Sequence, residues 1–202
     1  MPNNYDIDRN NDPARAEAVQ SLSDNEIDIE ARDSDGGTAL MSAANEGKVA
    51  AVQSLLDAGA DVEARDKEGR TALMWAASAG KVAAVQSLLD AGADVEARDS
   101  DGWTALMFAA NVGAVAAVQL LLNAGADIEA RDNNGRMALM FAAYYGAVAA
   151  VQLLLDAGAD VEARSNNGRT ALDLAQDPLD DVSAEDKART IAVLKSHTPH
   201  TK

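Results

Sequence analysis

The chain has 202 residues, no Cys, four Pro and a formal net charge of −16. Without Cys there are no disulfides and no thiol chemistry; the acidity disfavours nucleic acid, whose binding needs basic patches; and no run of about 18 apolar residues is present to cross a membrane. Apolar residues make up 48% and aromatics only 3%, so Ala, Val and Leu must supply the core, as thin, closely stacked helices require.

Residues 1–11 are polar and are expected to form a disordered tail. They lack the basic and apolar regions of a secretory signal, so a cytoplasmic protein is expected. Asp12-Pro13 opens a helix, with Asp as N-cap and Pro in the first turn. The run Val19-Gln20-Ser21-Leu22 then returns 33 residues later as Val52-Gln53-Ser54-Leu55. Residues 12–32 therefore read as half a repeat that has lost its first helix.

Four full units follow, at 33–65, 66–98, 99–131 and 132–164. Residues 47–66 and 80–99 are identical over all twenty letters. Self-similarity at this period means a stack of short units and not a single globular core. In the second unit, Thr71 can cap a short helix running to Ala79, with Leu73, Ala76 and Ala77 on one face. Gly80 ends it. A second helix from Val82 to Ala91 carries Val82, Val85, Leu88 and Leu89 as its apolar stripe, and Gly92 ends that one. Asp-Ser-Asp-Gly at 99–102 is a turn signal, which predicts an extended hairpin between units. Neither helix is long enough to stand alone, so stability must be shared along the stack. Thirteen of the fourteen glycines fall at three recurrent positions where a left-handed backbone is expected; only Gly37 is off pattern.

Thr170-Ala171-Leu172 opens a fifth unit, 165–195, which departs at Gln176-Asp177-Pro178 and carries about seven extra residues before Ile191, as a capping unit requires. Residues 196–202 read as a second tail.

The pattern Asp-x-x-Gly-x-Thr-Ala-Leu-Met-x-Ala-Ala-x-x-Gly, followed by Val-x-x-Leu-Leu-x-x-Gly-Ala-Asp-Val, resembles the ankyrin repeat over residues 12 to 195. The resemblance implies an all-α repeat fold: a solenoid of helix-turn-helix units joined by β-hairpin loops. Two departures stand out. Met41, Met74, Met107, Met140 and Asp173 take the place of the family's His, and Ala39, Ala72, Ala105, Ala138 and Ala171 that of its Pro. The Thr–His network between repeats must be absent, with Met filling the space. Met137 replaces the capping Thr in the fourth repeat, which predicts the loss of a cap worth about 1 kcal/mol.

The sequence offers little chemistry. Its only two His, His197 and His200, lie in the C-terminal segment, so no nucleophile–base pair or zinc site has its parts. Ala79-Gly80-Lys81 lacks the first Gly of a phosphate-binding loop, where Trp75 stands. Asp33-Ser34-Asp35-Gly36 and Asp99-Ser100-Asp101-Gly102 lack the length and terminal Glu of a calcium loop. Fifteen acids of the four full units recur at framework positions and read as solvated surface. No catalytic residue, metal or cofactor is expected.

What varies is the hairpin tips and first helices. Trp103 occupies a slot that holds Gly37, Arg70, Arg136 and Arg169 elsewhere. Tyr144 and Tyr145 replace Asn, Ser, Ala and Val. Trp75, Phe108 and Phe141 share one slot, where packing between repeats is the simpler reading than contact. In ankyrin-like proteins these positions line the concave groove, and aromatics and Arg are enriched at binding hot spots. The resemblance thus implies a non-catalytic module that binds a protein partner and is a monomer on its own, with no nucleic acid or membrane role. The anchors would be Trp103, Tyr144 and Tyr145, flanked by Arg70 and Arg136, with Trp75, Phe108, Phe141 and Asn111 as further candidates. A partnerless scaffold, engineered and consensus-like or recently duplicated, is the alternative that the identical block favours. An enzyme or small-ligand binder is the third.

Overall fold

A computed structural model of the chain describes residues 28–176 and 182–198. Most of the half repeat expected at 12–32 lies outside the described residues, as do both predicted tails except for the first part of the C-terminal one. Ten helices are described: α1 Ala39–Glu46, α2 Val49–Asp57, α3 Ala72–Ser78, α4 Val82–Asp90, α5 Ala105–Asn111, α6 Val115–Asn123, α7 Ala138–Tyr144, α8 Val148–Asp156, α9 Ala171–Ala175 and α10 Ala184–His197. They alternate between two layers. First helices (α1, α3, α5, α7, α9) pack on one another, and second helices (α2, α4, α6, α8, α10) back them. The last helix reaches His197, two residues into the segment read as a tail.

Alanine makes the layers thin. Ala76, Ala77, Ala109, Ala110, Ala142 and Ala143 are all buried where neighbouring first helices meet. Leu73, Met74, Leu106, Met107, Leu139 and Met140 fill the remaining space and are sealed from solvent. In the second helices Ala84, Val85 and Leu88 form the buried stripe, whereas Val82, expected within it, is 37% exposed. The outer layer is covered on one side only, so its stripe is narrower than the apolar pattern suggests.

Two expectations about the turns need correction. No strand forms among the described residues: each loop is a tight turn whose arms are too short for a ladder. In the second repeat Asp66 N–H reaches Arg70 C=O at 3.1 Å and Gly69 N–H reaches Asp66 C=O at 3.0 Å. Gly69, at φ +78°, makes this turn possible, and a Cβ there would stand 3.2 Å from the backbone N of Ser100. All thirteen recurrent glycines have positive φ, and Gly37 is not among them.

The Thr caps are the second correction. Thr71 and Thr104 stand at the N-cap positions but make no side-chain cap bond, and their buried hydroxyls find no partner. Only Thr38 and Thr170 cap their helices through the side chain. Met137 therefore forfeits no cap that its two preceding counterparts enjoy; it is fully buried and packs instead.

The framework charges are structural, not merely solvated. Glu30, Glu63, Glu96 and Glu129 each accept the backbone N–H of an Asp one repeat on, at 2.7–2.8 Å. Arg65 and Arg98 each donate to the Gly carbonyl of their own turn and to the carbonyl of the next repeat's Arg. Backbone bonds join the tips directly: Lys67 to Asp35, Ser100 to Glu68, Asn133 to Asp101 and Asn166 to Asn134. A repeat thus satisfies its neighbour's backbone polar groups, which is why charged letters recur as faithfully as the apolar ones.

Candidate functional site

The varied positions line the face made by the turn tips and first helices. The Asp that opens each of the first four turns fixes their geometry. Asp66 Oδ1 accepts the N–H groups of Glu68 and Arg70 at 2.9 and 2.8 Å. Its Oδ2 takes Arg70 Nε at 2.9 Å and the Trp75 indole N–H at 3.1 Å. The Arg70 guanidinium then lies 3.9 Å over the Trp75 ring. Burial pushes the Asp66 carboxyl up, but bonds from the Arg70 backbone and side chain, with its charge, outweigh that and hold it below its ordinary value. The fourth repeat repeats the arrangement: Arg136 Nε and Nη2 both reach Asp132 Oδ2 at 2.8 Å, and the guanidinium lies 4.7 Å from the Phe141 ring centre.

The third repeat breaks it. Trp103 holds the Arg slot, so Asp99 accepts only the N–H groups of Asp101 and Trp103, at 2.9 and 2.8 Å. Burial raises the Asp99 carboxyl above its ordinary value, and these two bonds do not offset it. The Trp103 ring takes over the stacking role of the arginines, 5.0 Å from Phe108 and 4.1 Å from Phe141. Phe108, Trp103, Phe141 and Arg136 form one stacked series linking repeats three and four.

Beside this stack lies an open cleft of about 390 Å³, bounded by Trp103, Arg136, Phe141, Tyr144, Tyr145 and Arg169 among others. Tyr144 and Tyr145 meet edge to face at 5.1 Å, and Tyr145 is 45% exposed. Phe141 is 3% exposed and serves as floor; Trp103 is half-buried. The sequence candidates therefore do not converge on one spot. Arg70 and Trp75 lie in a separate depression with Asp33, Asp35 and Asp66. Asn111 lies with Val112 and Tyr145 near the turn between first and second helices, and its Oδ1 is buried without a partner. Met140, Asn134, Ser165, Asn167, Arg169 and Leu174 complete the cleft without having been singled out. Arg169 and Leu174 were detectable, since they occupy in the capping unit the slots of Arg136 and Phe141.

No group of three or more His, Cys, Asp or Glu side chains suited to a metal occurs among the described residues, and no helix there is long and apolar enough to cross a membrane.

A layered stack of helix pairs, tied tip to tip and varied on one face, defines a helical repeat protein. The family model for ankyrin repeats (3 copies) matches residues 10–99, 58–132, 83–165 and 127–182, and the chain belongs to the ankyrin repeat family. Such repeats generally serve as protein–protein interaction modules and are typically non-catalytic. A search of curated proteins found no match.

Proposed function

We propose that the chain is a non-catalytic, cytoplasmic interaction module, monomeric on its own, that holds a protein partner against the face of turn tips and first helices. One observation carries this reading. Apart from Met140 and Ser165, which stand in recurrent framework slots, the residues around the 390 Å³ cleft belong to the varied positions, while the bonds that hold the stack together are repeated almost unchanged. Tyr145 and Trp103 offer aromatic surface, and the clefts that anchor side chains or small ligands are of this size. Within the reading, Trp103, Tyr144 and Tyr145 are the anchors. Arg136 contributes the part of its guanidinium that Asp132 leaves unused, while Trp75, Phe141 and Arg70 act chiefly as support.

The test is affinity capture from a native lysate with wild type and with Tyr144→Ala/Tyr145→Ala. A partner that is captured by the first and lost, by tenfold or more, from the second supports the groove. Undiminished capture sinks it. The identical twenty-residue block favours a second reading, a scaffold without a dedicated partner, for which capture by wild type would itself fail.

A further inference from the structure

The two turn tips beside the cleft carry an amide where the other tips carry an acid. The position before the turn glycine reads Asp35, Glu68, Asp101, Asn134 and Asn167. Asn134-Gly135 and Asn167-Gly168 are the chain's two Asn-Gly pairs, and both asparagines are exposed and line the cleft with Trp103, Tyr144 and Tyr145. Asparagine before glycine is the pair in which a side-chain amide is most easily lost, because no Cβ hinders the glycine nitrogen. Here the turn itself demands the glycine, at φ +70° for Gly135 and +74° for Gly168. The neighbouring Asn133 and Asn166 differ on two counts. Each is followed by Asn, and each holds its Nδ2 in a bond to the preceding tip, Asn133 to the Ser100 carbonyl at 3.0 Å and Asn166 to the Asn133 carbonyl at 3.1 Å.

We propose that Asn134 and Asn167 are sites of spontaneous deamidation, which places new carboxylates on the rim of the cleft. The deprotonated glycine nitrogen attacks the asparagine Cγ, the bond from Cγ to Nδ2 breaks, and ammonia leaves as a succinimide ring closes. Water then opens the ring. Attack at the former side-chain carbonyl yields Asp; attack at the main-chain carbonyl yields isoaspartate, whose main chain runs through Cγ. Each new acid consumes one water and releases one ammonia. The attacking nitrogens are engaged in their turns, Gly135 N–H on the Asp132 carbonyl at 2.9 Å and Gly168 N–H on the Ser165 carbonyl at 2.8 Å, so each turn must open first. Opening the fourth turn also breaks the bond from Asn166 N–H to the Asn134 carbonyl at 2.9 Å, and Gly135 is buried against Asn166 whereas Gly168 is exposed. Asn167 is therefore the faster site, by about fivefold for the one additional hydrogen bond. At Asn134 isoaspartate formation goes further. It takes that same carbonyl off the main chain and makes it the free carboxylate, which loosens the tie between the fourth and fifth units.

The conversion needs no partner, so it is tested apart from the groove. Full-length protein is held in mildly alkaline buffer, folded and in urea, and sampled over days. Trypsin cuts after Arg131, Arg136, Arg164 and Arg169, so each tip is released as its own peptide, 132–136 and 165–169, for mass spectrometry. Fragmentation assigns the amide that was lost, and chromatography separates Asp from isoaspartate. In the folded protein Asn167 is expected to convert about fivefold faster than Asn134, with Asn133 and Asn166 intact, and in urea the two rates should converge. Asn167→Gln should stop conversion in its own peptide over the same period and leave that of Asn134 unchanged. Folded protein in which Asn167 is as durable as Asn166 overturns the proposal, even if both pairs convert in urea, because the turns would then protect them. Conversion of Asn134 as fast as that of Asn167, or faster, overturns the order of the two sites and the role given to the bond from Asn166.

Discussion

Asp66 and Asp99 are the same framework residue 33 positions apart, and replacing each with Asn should give opposite results. Asp66 is almost fully buried and receives four hydrogen bonds, two of them from Arg70 Nε and the Trp75 indole on Oδ2. Asn keeps an oxygen for the backbone pair but points an amide N–H₂ at two donors. Breaking a buried ion pair costs about 3–5 kcal/mol; because Arg70 is partly solvated and keeps its bond to Glu68, we expect about 2–3 kcal/mol for Asp66→Asn. Asp99 bonds only through Oδ1, which Asn reproduces, and among the described residues its other oxygen meets no donor. Asp99→Asn removes a half-buried charge and should be neutral within about 0.5 kcal/mol, or stabilising. The pH dependence separates them further. The Asp66 carboxyl is held below its ordinary value of 3.8, so its contribution is present above that pH and is lost as pH falls through the folded value. The Asp99 carboxyl is raised, so its ionisation opposes folding, and that cost appears as pH rises past 3.8 and is absent below. Urea denaturation followed by circular dichroism at about pH 7 and about pH 3 measures both differences, which should shrink together in acid. An equal loss of stability from the two substitutions at neutral pH would refute the claim that the residue four positions on decides the role of the carboxylate.

Other predictions concern packing and contact. Trp103→Ala should cost about 2–4 kcal/mol through its lost stacking on Phe108 and Phe141, read in the same denaturation assay. Tyr145→Ala, at an exposed position, should stay within about 0.5 kcal/mol while weakening partner capture, so stability and binding separate at these two residues. Met137→Thr, the substitution that restores the repeat consensus, should destabilise by about 1–3 kcal/mol, because it exchanges a buried thioether for a hydroxyl as unpartnered as those of Thr71 and Thr104. Arg98→Ala removes the bonds from the end of the second repeat to the Gly102 and Arg131 carbonyls of the third and should cost about 1–3 kcal/mol.

The period of 33, the two helices per unit and the glycine positions were all legible in the letters. Each rests on local geometry: a left-handed turn needs Gly, and a short helix needs an apolar face matched to its pitch. The α3 and α4 boundaries fall within a residue of those expected. What misled was the assumption that a residue type acts alone. Thr at an N-cap position signals a cap, yet Thr71 Oγ1 is buried and meets no donor of its helix, although its backbone angles are nearly those of Thr38, which does cap. Acidic letters on a turn suggest solvation, yet Glu63 and Glu96 bind backbone of the next unit, a partner that only stacking supplies.

The site divides in the same way. Comparing repeats picked out Trp103, Tyr144 and Tyr145, because a framework that recurs makes its exceptions visible. The comparison could not tell that Trp103 would turn inward onto Phe141 while Tyr145 stayed exposed, or that Arg70 and Arg136 would be drawn down onto Asp66 and Asp132. Nor could it bring the fifth unit's Arg169 and Leu174 to the fourth unit's tyrosines. The sequence by itself determined the unit and its repetition, since both follow from contacts within about 33 residues. Only the tertiary stack decided which varied side chains share a cleft and which became part of the core, because those distances are set by the translation from one unit to the next.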